Sequence, residues 1–269
     1  MNESTSETAA TEDRLVGADR VVAVLMELAA HPEGITLDEL ATAMSSSKPT
    51  VHRALATLRR AGLADMRSRG TYVLGDEYLR LAFRNLDGRP DTARLQPLLT
   101  ELATVYGETA HYALLSGSEV VYRVKVDPPQ GAVRLTSVIG GRNPAYRTAV
   151  GKALLSRQVF DAPQLAALLG TFPLERRTPR TLTSAGALLA ELDRSRARGF
   201  AVDDEENEVG INCVAIPVHL DGSISPSGAK SVSAVKFRTS LEALIDAVPA
   251  IRRTVIEKLG PYALGTPDA

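Results

Sequence analysis

The sequence predicts an α+β protein in two parts: an N-terminal winged helix-turn-helix and, after a linker helix, a larger α+β domain built on an antiparallel sheet. Three observations lead there. Residues 19 to 74 carry three short amphipathic helix patterns followed by a hairpin pattern. The run Asp87-Gly88-Arg89-Pro90 then interrupts helical periodicity. Beyond it, helices mix with strand pairs joined by turns as short as Ser116 to Ser118, which implies antiparallel neighbours. At 269 residues the chain has room for two cores.

Residues 1–16, rich in Ser, Thr, Glu and Ala, offer too few apolar side chains to offset the entropy of ordering and are expected to form a disordered arm. A helix follows from about Asp19, with Val21, Val24, Leu25 and Leu28 on one face, and Pro32 and Gly34 stop it. Thr36 and Glu39 have capping-box spacing at the head of a second helix whose inner face is Leu37, Leu40, Ala41 and Met44. After Ser45-Ser46-Ser47, a third helix turns Val51, Ala54, Leu55 and Leu58 inward and ends near Gly62. Leu63 to Met66 and Thr71 to Leu74 flank Arg67-Ser68-Arg69-Gly70 as a hairpin with a basic tip. From Asp76 to about Leu86, an amphipathic helix shows Leu79, Ala82, Phe83 and Leu86 on one side. The expected domains are therefore a winged unit at 17–75, a linker helix at 76–90, a second domain at 91–262 and a tail at 263–269.

In the second domain, Leu95, Leu98, Leu99, Leu102 and Val105 define a helix, and strands are expected near 109–116, 119–126 and 132–138. Helices near 149–157, 161–169 and 184–198 precede strands at 211–220 and 229–237. A last helix carries Leu241, Leu244, Ile245, Val248 and Val255 up to Gly260-Pro261.

Composition excludes several classes. Apolar runs such as Val21 to Leu25 are far too short to span a bilayer and no signal segment opens the chain, so no membrane partner and a cytoplasmic location are expected. The single cysteine, Cys213, rules out a disulfide framework, and His111 and His219 have no ligand spacing with it, so no metal is expected. No phosphate-loop motif or catalytic set is recognisable, and no cofactor is expected.

The net charge of −1 conceals a local asymmetry. Between Ser45 and Gly75 stand six basic residues against one acidic residue, Asp65, a net charge of +5. A charged helix face is by default only solvated. Here it lies on the second helix of a helix-turn-helix and is followed by a basic hairpin, the arrangement that offers a major groove the start of a helix and offers phosphates its cationic flanks. Ser46, Ser47, Lys48, Thr50, His52 and Arg53 occupy the groove-facing position. Thr57, Arg60 and the hairpin residues Arg67 and Arg69 are candidates for phosphate contact, and Arg59 reads as an ordinary surface charge.

The run ITLDELA…SSSKPTVHRALATLRRAGL…YVLG resembles the DNA-binding half of the IclR family of bacterial regulators. VRLTSVIGGRNPAYRTAVGKALLS from Val133, GFAVDDEENEVGINCVAIPV from Gly199 and GAKSVSAV from Gly228 resemble later signatures of that family, in its order. The resemblance implies a GAF-like effector domain, a homodimer or homotetramer on double-stranded palindromic operator DNA, and control by a small metabolite, commonly an organic acid. It places the effector pocket among Ala149, Val150, Asp203, Ile211, Cys213, Ser231 and Ser233. A helix start at Thr148 to Gly151 is compatible with a carboxylate, since its free N–H groups and dipole favour an anion. The chain departs from the family at Tyr146, where a histidine is usual, at Lys230, where an apolar residue is usual, and in a longer loop at Ser223 to Ser227.

Each pocket residue also has a plainer reading. Cys213 is either a small core residue or pocket lining, with nucleophilic catalysis a distant third. The five carboxylates between Asp203 and Glu208 read as a solvated loop from which Asp203 alone turns inward. Lys152 either pairs locally or meets ligand, and Ser231 and Ser233 share one strand face, toward either a pocket or solvent. The leading expectation is a transcriptional regulator, a repressor, controlled by an organic or sugar acid. The rivals are an enzyme using Cys213 and a DNA binder without ligand control.

Overall fold

The computed structural model describes residues 17–67, 70–87, 90–128, 135–220 and 225–265. The chain divides into two compact units, Met1–Gly88 and Arg89–Ala269. The expected arm at 1–16, Arg69 and part of the linker and tail lie outside the described residues.

In the first unit, α1 (Ala18–Ala30) buries Val24 and Leu28. β1 (Ile35–Thr36) leads into α2 (Leu37–Ala43), where Thr36 Oγ1 accepts from the Glu39 amide at 3.3 Å and the Glu39 carboxylate accepts from the Thr36 amide at 2.8 Å. This reciprocal cap fixes where α2 begins. The tripeptide Ser45-Ser46-Ser47 makes the turn, with Ser45 at a φ of 45° and the Ser46 amide bonded to the Ala41 carbonyl. α3 (Lys48–Arg60) buries Val51, Ala54, Leu55 and Leu58 against α1 and α2. β2 (Ala64–Met66) and β3 (Thr71–Leu74) form the hairpin. The sheet order is β1-β3-β2, so Ile35 and Thr36 pair with Tyr72 and Thr71. The sequence reading lacks β1, because two residues carry no alternation to detect. α4 (Asp76–Asp87) is a helix as expected, but Leu79 and Phe83, expected on its apolar side, are exposed in the single chain, Phe83 to 62%.

The second unit opens with α5 (Pro90–Tyr106), which buries Leu95, Leu98, Leu99 and Leu102 while Val105 points to solvent. β4 (Thr109–Ser116) and β5 (Glu119–Val126) form the expected antiparallel pair. The strand expected at 132–138 is absent among the described residues 135–138, and β6 (Arg142–Pro144) pairs with β5 instead. Lys125 Nζ takes the carbonyls of Leu135 (2.9 Å) and Ser137 (2.8 Å), so a side chain, not a neighbouring strand, satisfies that backbone.

Three helices follow, α6 (Ala149–Leu155), α7 (Ala162–Leu169) and α8 (Ala185–Arg198). β7 (Ala201–Asp204), β8 (Ile211–Val218), β9 (Gly228–Val235) and α9 (Leu241–Leu259) complete the unit. β7 escapes the sequence reading because its two aspartates read as loop. The sheet is antiparallel in the order β6-β5-β4-β9-β8-β7. Val214, Ile216, Val218 and Val232 pack on α5 and α9 at one face, and Ala215, Ala229 and Cys213 pack with α6 and α8 at the other. Packing continues through Ala263, buried one residue past the expected domain end, whose carbonyl accepts from the His219 amide.

Candidate functional site

Strand register builds the site. Asp203 on β7 stands beside Cys213 on β8, which stands beside Ser233 on β9. One rung further along, Ser231 stands beside His111 on β4. On a pleated sheet such neighbours share a face, here the face covered by α6. The result is a cavity of about 240 Å³ in which Ala149, Val150, Asp203, Ile211, Cys213, Ser231 and Ser233 all take part.

The closed part of this cavity is polar without a fixed cation. His111 Nε2 meets Ser137 Oγ at 2.8 Å, and its Nδ1 lies 3.5 Å and 3.4 Å from the hydroxyls of Ser231 and Ser233. Burial, reinforced by the Lys125 charge, pushes the imidazole down to about 3, so the ring is neutral. The His111 and Tyr122 rings lie 5.0 Å apart, tilted 47°. Asp203 accepts from the amides of Glu206 (2.7 Å) and Asn207 (3.3 Å), yet desolvation overrides the nearby Lys152 charge and those hydrogen bonds and pushes its carboxyl up to about 7.

The mouth is basic. Arg142, Arg147 and Arg177 all line it, Arg142 and Arg177 exposed and Arg147 half-buried. Arg142 is tied to Glu119 at 3.2 Å, whereas Arg147 engages the neutral Asn207 through Nε at 2.9 Å. Glu208 is the carboxylate at the rim. α6 starts at the cavity wall, where Thr148 Oγ1 accepts from the Gly151 amide at 3.1 Å. The amides of Ala149 and Val150 precede it and have no intrahelical acceptor. With seven residues, α6 contributes local N–H donors rather than a long macrodipole.

The acidic run from Asp203 to Glu208 is not the solvated loop its composition suggests. Glu206 is buried and ion-paired with fully buried Lys152. Thr178 and Thr181 hydroxyls hold the carbonyls of Glu205 and Glu206 at 2.7 Å each. Lys152 therefore pairs inside the protein, anchoring the loop that carries Asn207 and Glu208. Of the departures from the family pattern, neither Tyr146 nor Lys230 lines the cavity. Tyr146 donates its hydroxyl to the Glu175 carbonyl at 2.7 Å. Lys230 sits across from Tyr112 and Ile216 on the opposite sheet face, where burial and the Arg252 charge push its amine down to about 7.

The sequence reading missed Arg147, Arg177, His111 and Tyr122 as cavity residues. Strand alternation, given the pairing of β4 with β9, would have placed His111 beside Ser231. Arg177 lies in a loop with no periodicity, and nothing local marks it.

In the first unit, Ser47, Lys48, His52, Arg53 and Thr57 are exposed on α3, and Ser46 and Thr50 are half-buried. Ser47 spends its hydroxyl on Thr50 Oγ1 (2.8 Å) and makes no side-chain cap. The Thr50 amide bonds to the Ser47 carbonyl at 2.9 Å and Pro49 has no N–H, so of the first three helical positions only Lys48 has an amide with no intrahelical acceptor. Lys48 pairs with Asp38 at 2.8 Å in an exposed contact of little energetic weight. The Thr57 hydroxyl is engaged by the Arg53 carbonyl and Arg60. Arg67, in the hairpin turn, is exposed.

Comparison with known proteins follows the same division. Residues 17–66 match the IclR helix-turn-helix domain, and residues 86–257 match the family described as bacterial transcriptional regulator IclR C-terminal. The HTH-type transcriptional regulator BhcR of Paracoccus denitrificans is 34% identical over 250 residues, 90% of this chain and 87% of that protein. The crystal structure of a putative transcriptional regulator from Rhodococcus superposes with a TM-score of 0.75 at 28% identity, covering 90% of this chain and 95% of that one. The inducer-binding domain of the PobR transcription factor from Acinetobacter, a double mutant in complex with 3-hydroxybenzoic acid, superposes with a TM-score of 0.56 at 28% identity, covering 64% of this chain and 98% of that one. The family and these relatives are transcriptional regulators, which sets aside the enzyme reading of Cys213, whose buried thiol is in any case pushed well above its ordinary range. The chain belongs to the IclR family of bacterial transcriptional regulators, in which an IclR helix-turn-helix domain is joined to an effector-binding C-terminal domain.

Proposed function

We propose that this regulator is a repressor whose hold on double-stranded operator DNA is released by a small organic or sugar acid bound in the cavity of the second unit. It works as a homodimer or homotetramer, since palindromic sites call for paired recognition helices. The domains are the winged unit at 17–75, the linker helix at 76–90 and the effector domain at 91–262. Ser46, Ser47, Lys48, Thr50, His52 and Arg53 address the major groove, while Thr57, Arg67 and Arg69 serve the phosphates.

One observation carries the effector reading. Seven residues from three separate stretches of sequence, Ala149, Val150, Asp203, Ile211, Cys213, Ser231 and Ser233, share a cavity whose mouth holds Arg147 and Arg177. At about 240 Å³ the cavity suits a metabolite smaller than a drug-sized ligand. The PobR domain, which accommodates a hydroxybenzoic acid, supports the choice of a carboxylate. Effector binding then acts by shifting the population competent for DNA.

The test is DNA binding by fluorescence anisotropy on genomic upstream fragments, with and without a panel of organic, sugar and aromatic acids. A salt-sensitive complex released by at least one acid is expected. Arg53→Ala should abolish selective binding more than Arg59→Ala. Asp203→Ala and Ser231→Ala should each weaken the response to that acid. No promoter bound, or no acid with any effect, overturns the reading.

A further inference from the structure

The cavity is electrically lopsided, and the asymmetry narrows the ligand class. Its basic groups stand at the mouth: Arg147, with its Nε on a neutral amide, and exposed Arg177, for which the described residues provide no carboxylate partner. Its buried end holds His111, Ser231 and Ser233, with Asp203 two strands away on the same face. That end has neutral groups able both to donate and to accept. The imidazole engages Ser137 through Nε2 and turns Nδ1 toward the two serines, and each hydroxyl has a proton and lone pairs.

We propose, building on the reading of this cavity as the effector site, that the effector is a hydroxy monocarboxylic acid bound in one orientation, its carboxylate at Arg147 and Arg177 and its hydroxyl at His111, Ser231 and Ser233. A second carboxylate at the closed end would lose its hydration with no cation there to replace it among the described residues, since Lys152 is paired with Glu206 and Lys125 with Asp127. An ammonium group at the mouth would meet the arginines. A plain alkyl or aryl acid would leave Ser231 and Ser233 with only their long contacts to His111 at 3.5 Å and 3.4 Å inside a desolvated site, a weakness that a hydroxyl removes because it both donates and accepts. The half-open hydrogen bonds at 3.4 Å and 3.5 Å between His111 and the two serines are long enough to be exchanged for shorter ones to a ligand. Tyr122, tilted against His111, gives the hydroxyl-bearing part an aromatic wall.

Calorimetric titration of the full chain with two matched pairs tests this: 4-hydroxybenzoate against benzoate, and 4-hydroxybutanoate against butanoate. In at least one pair the hydroxy acid should bind about tenfold or more tightly than its deoxy partner. Ser231→Ala/Ser233→Ala should collapse that ratio by weakening the hydroxy acid and, with the desolvated hydroxyls gone, tightening the deoxy acid. Arg147→Gln should weaken both members of the pair and preserve the ratio, which a general loss of folding would not do. Equal affinities within both pairs, or a ratio that survives the double serine substitution, overturns the hydroxy-acid inference and leaves the effector reading standing. Failure of all four acids to bind overturns the inference. Failure of the whole acid panel in the DNA assay removes the effector reading itself.

Discussion

The sharpest consequence of the site's electrostatics concerns Asp203→Asn. Burial pushes the Asp203 carboxyl from its ordinary 3.8 up to about 7. The folded chain therefore keeps a proton that the unfolded chain releases between about pH 4 and 7. Stability from this group is fully present below pH ~4, declines as pH rises, and is flat again above about 7. At 1.36 kcal/mol per pH unit, the total loss is about 4 kcal/mol, of which about 3 kcal/mol falls between pH 5 and pH 8. Asparagine keeps the carbonyl that accepts from the Glu206 and Asn207 amides and carries no charge. The difference in unfolding free energy between Asp203→Asn and the unaltered protein should thus shift in the variant's favour by about 3 kcal/mol from pH 5 to pH 8. Any constant packing penalty of the substitution cancels in that difference. Urea denaturation followed by far-UV circular dichroism at several pH values measures it, tryptophan being absent from the chain. A difference that stays constant across the range would refute the claim that burial makes Asp203 hold its proton up to about pH 7 in the folded site.

Three further outcomes are expected. Lys152→Met strands the Glu206 carboxylate in the interior and should cost about 3–5 kcal/mol, partly recovered in Lys152→Met/Glu206→Gln, as measured by urea midpoints. Gly151→Val places a Cβ 2.1 Å from the Ala145 carbonyl oxygen, so α6 cannot seat, and a loss of more than about 3 kcal/mol should appear as a lowered Tm and loss of any acid-induced thermal shift. Thr36→Ala removes the capping box of α2 and should cost about 1 kcal/mol. Hydrogen exchange should register that cost in the first unit and leave β8 and β9 protected as before.

Short-range patterns decided much of this protein in advance. The capping box at Thr36 and Glu39, the inward stripe Val51, Ala54, Leu55 and Leu58, and the tight turn between β4 and β5 each rest on residues fewer than ten apart, where local sterics and hydrogen bonding dominate. The positive segment from Ser45 to Gly75 was likewise visible, because charge is additive along a chain. The family's signatures named the seven cavity residues, although spacing alone could not bring three distant stretches together. Tertiary structure decided the rest. Whether Ser231 faces a cavity while Lys230 faces the α5–α9 core depends on strand parity, and parity is fixed only when β9 takes its register between β4 and β8. That pairing sets His111 beside a residue 120 positions away and supplies the neutral end of the site. Burial of Glu206 within an acidic run depends on Lys152, 54 residues earlier, arriving from α6. A strand alternates its faces by itself, but only its neighbours determine which face is inside.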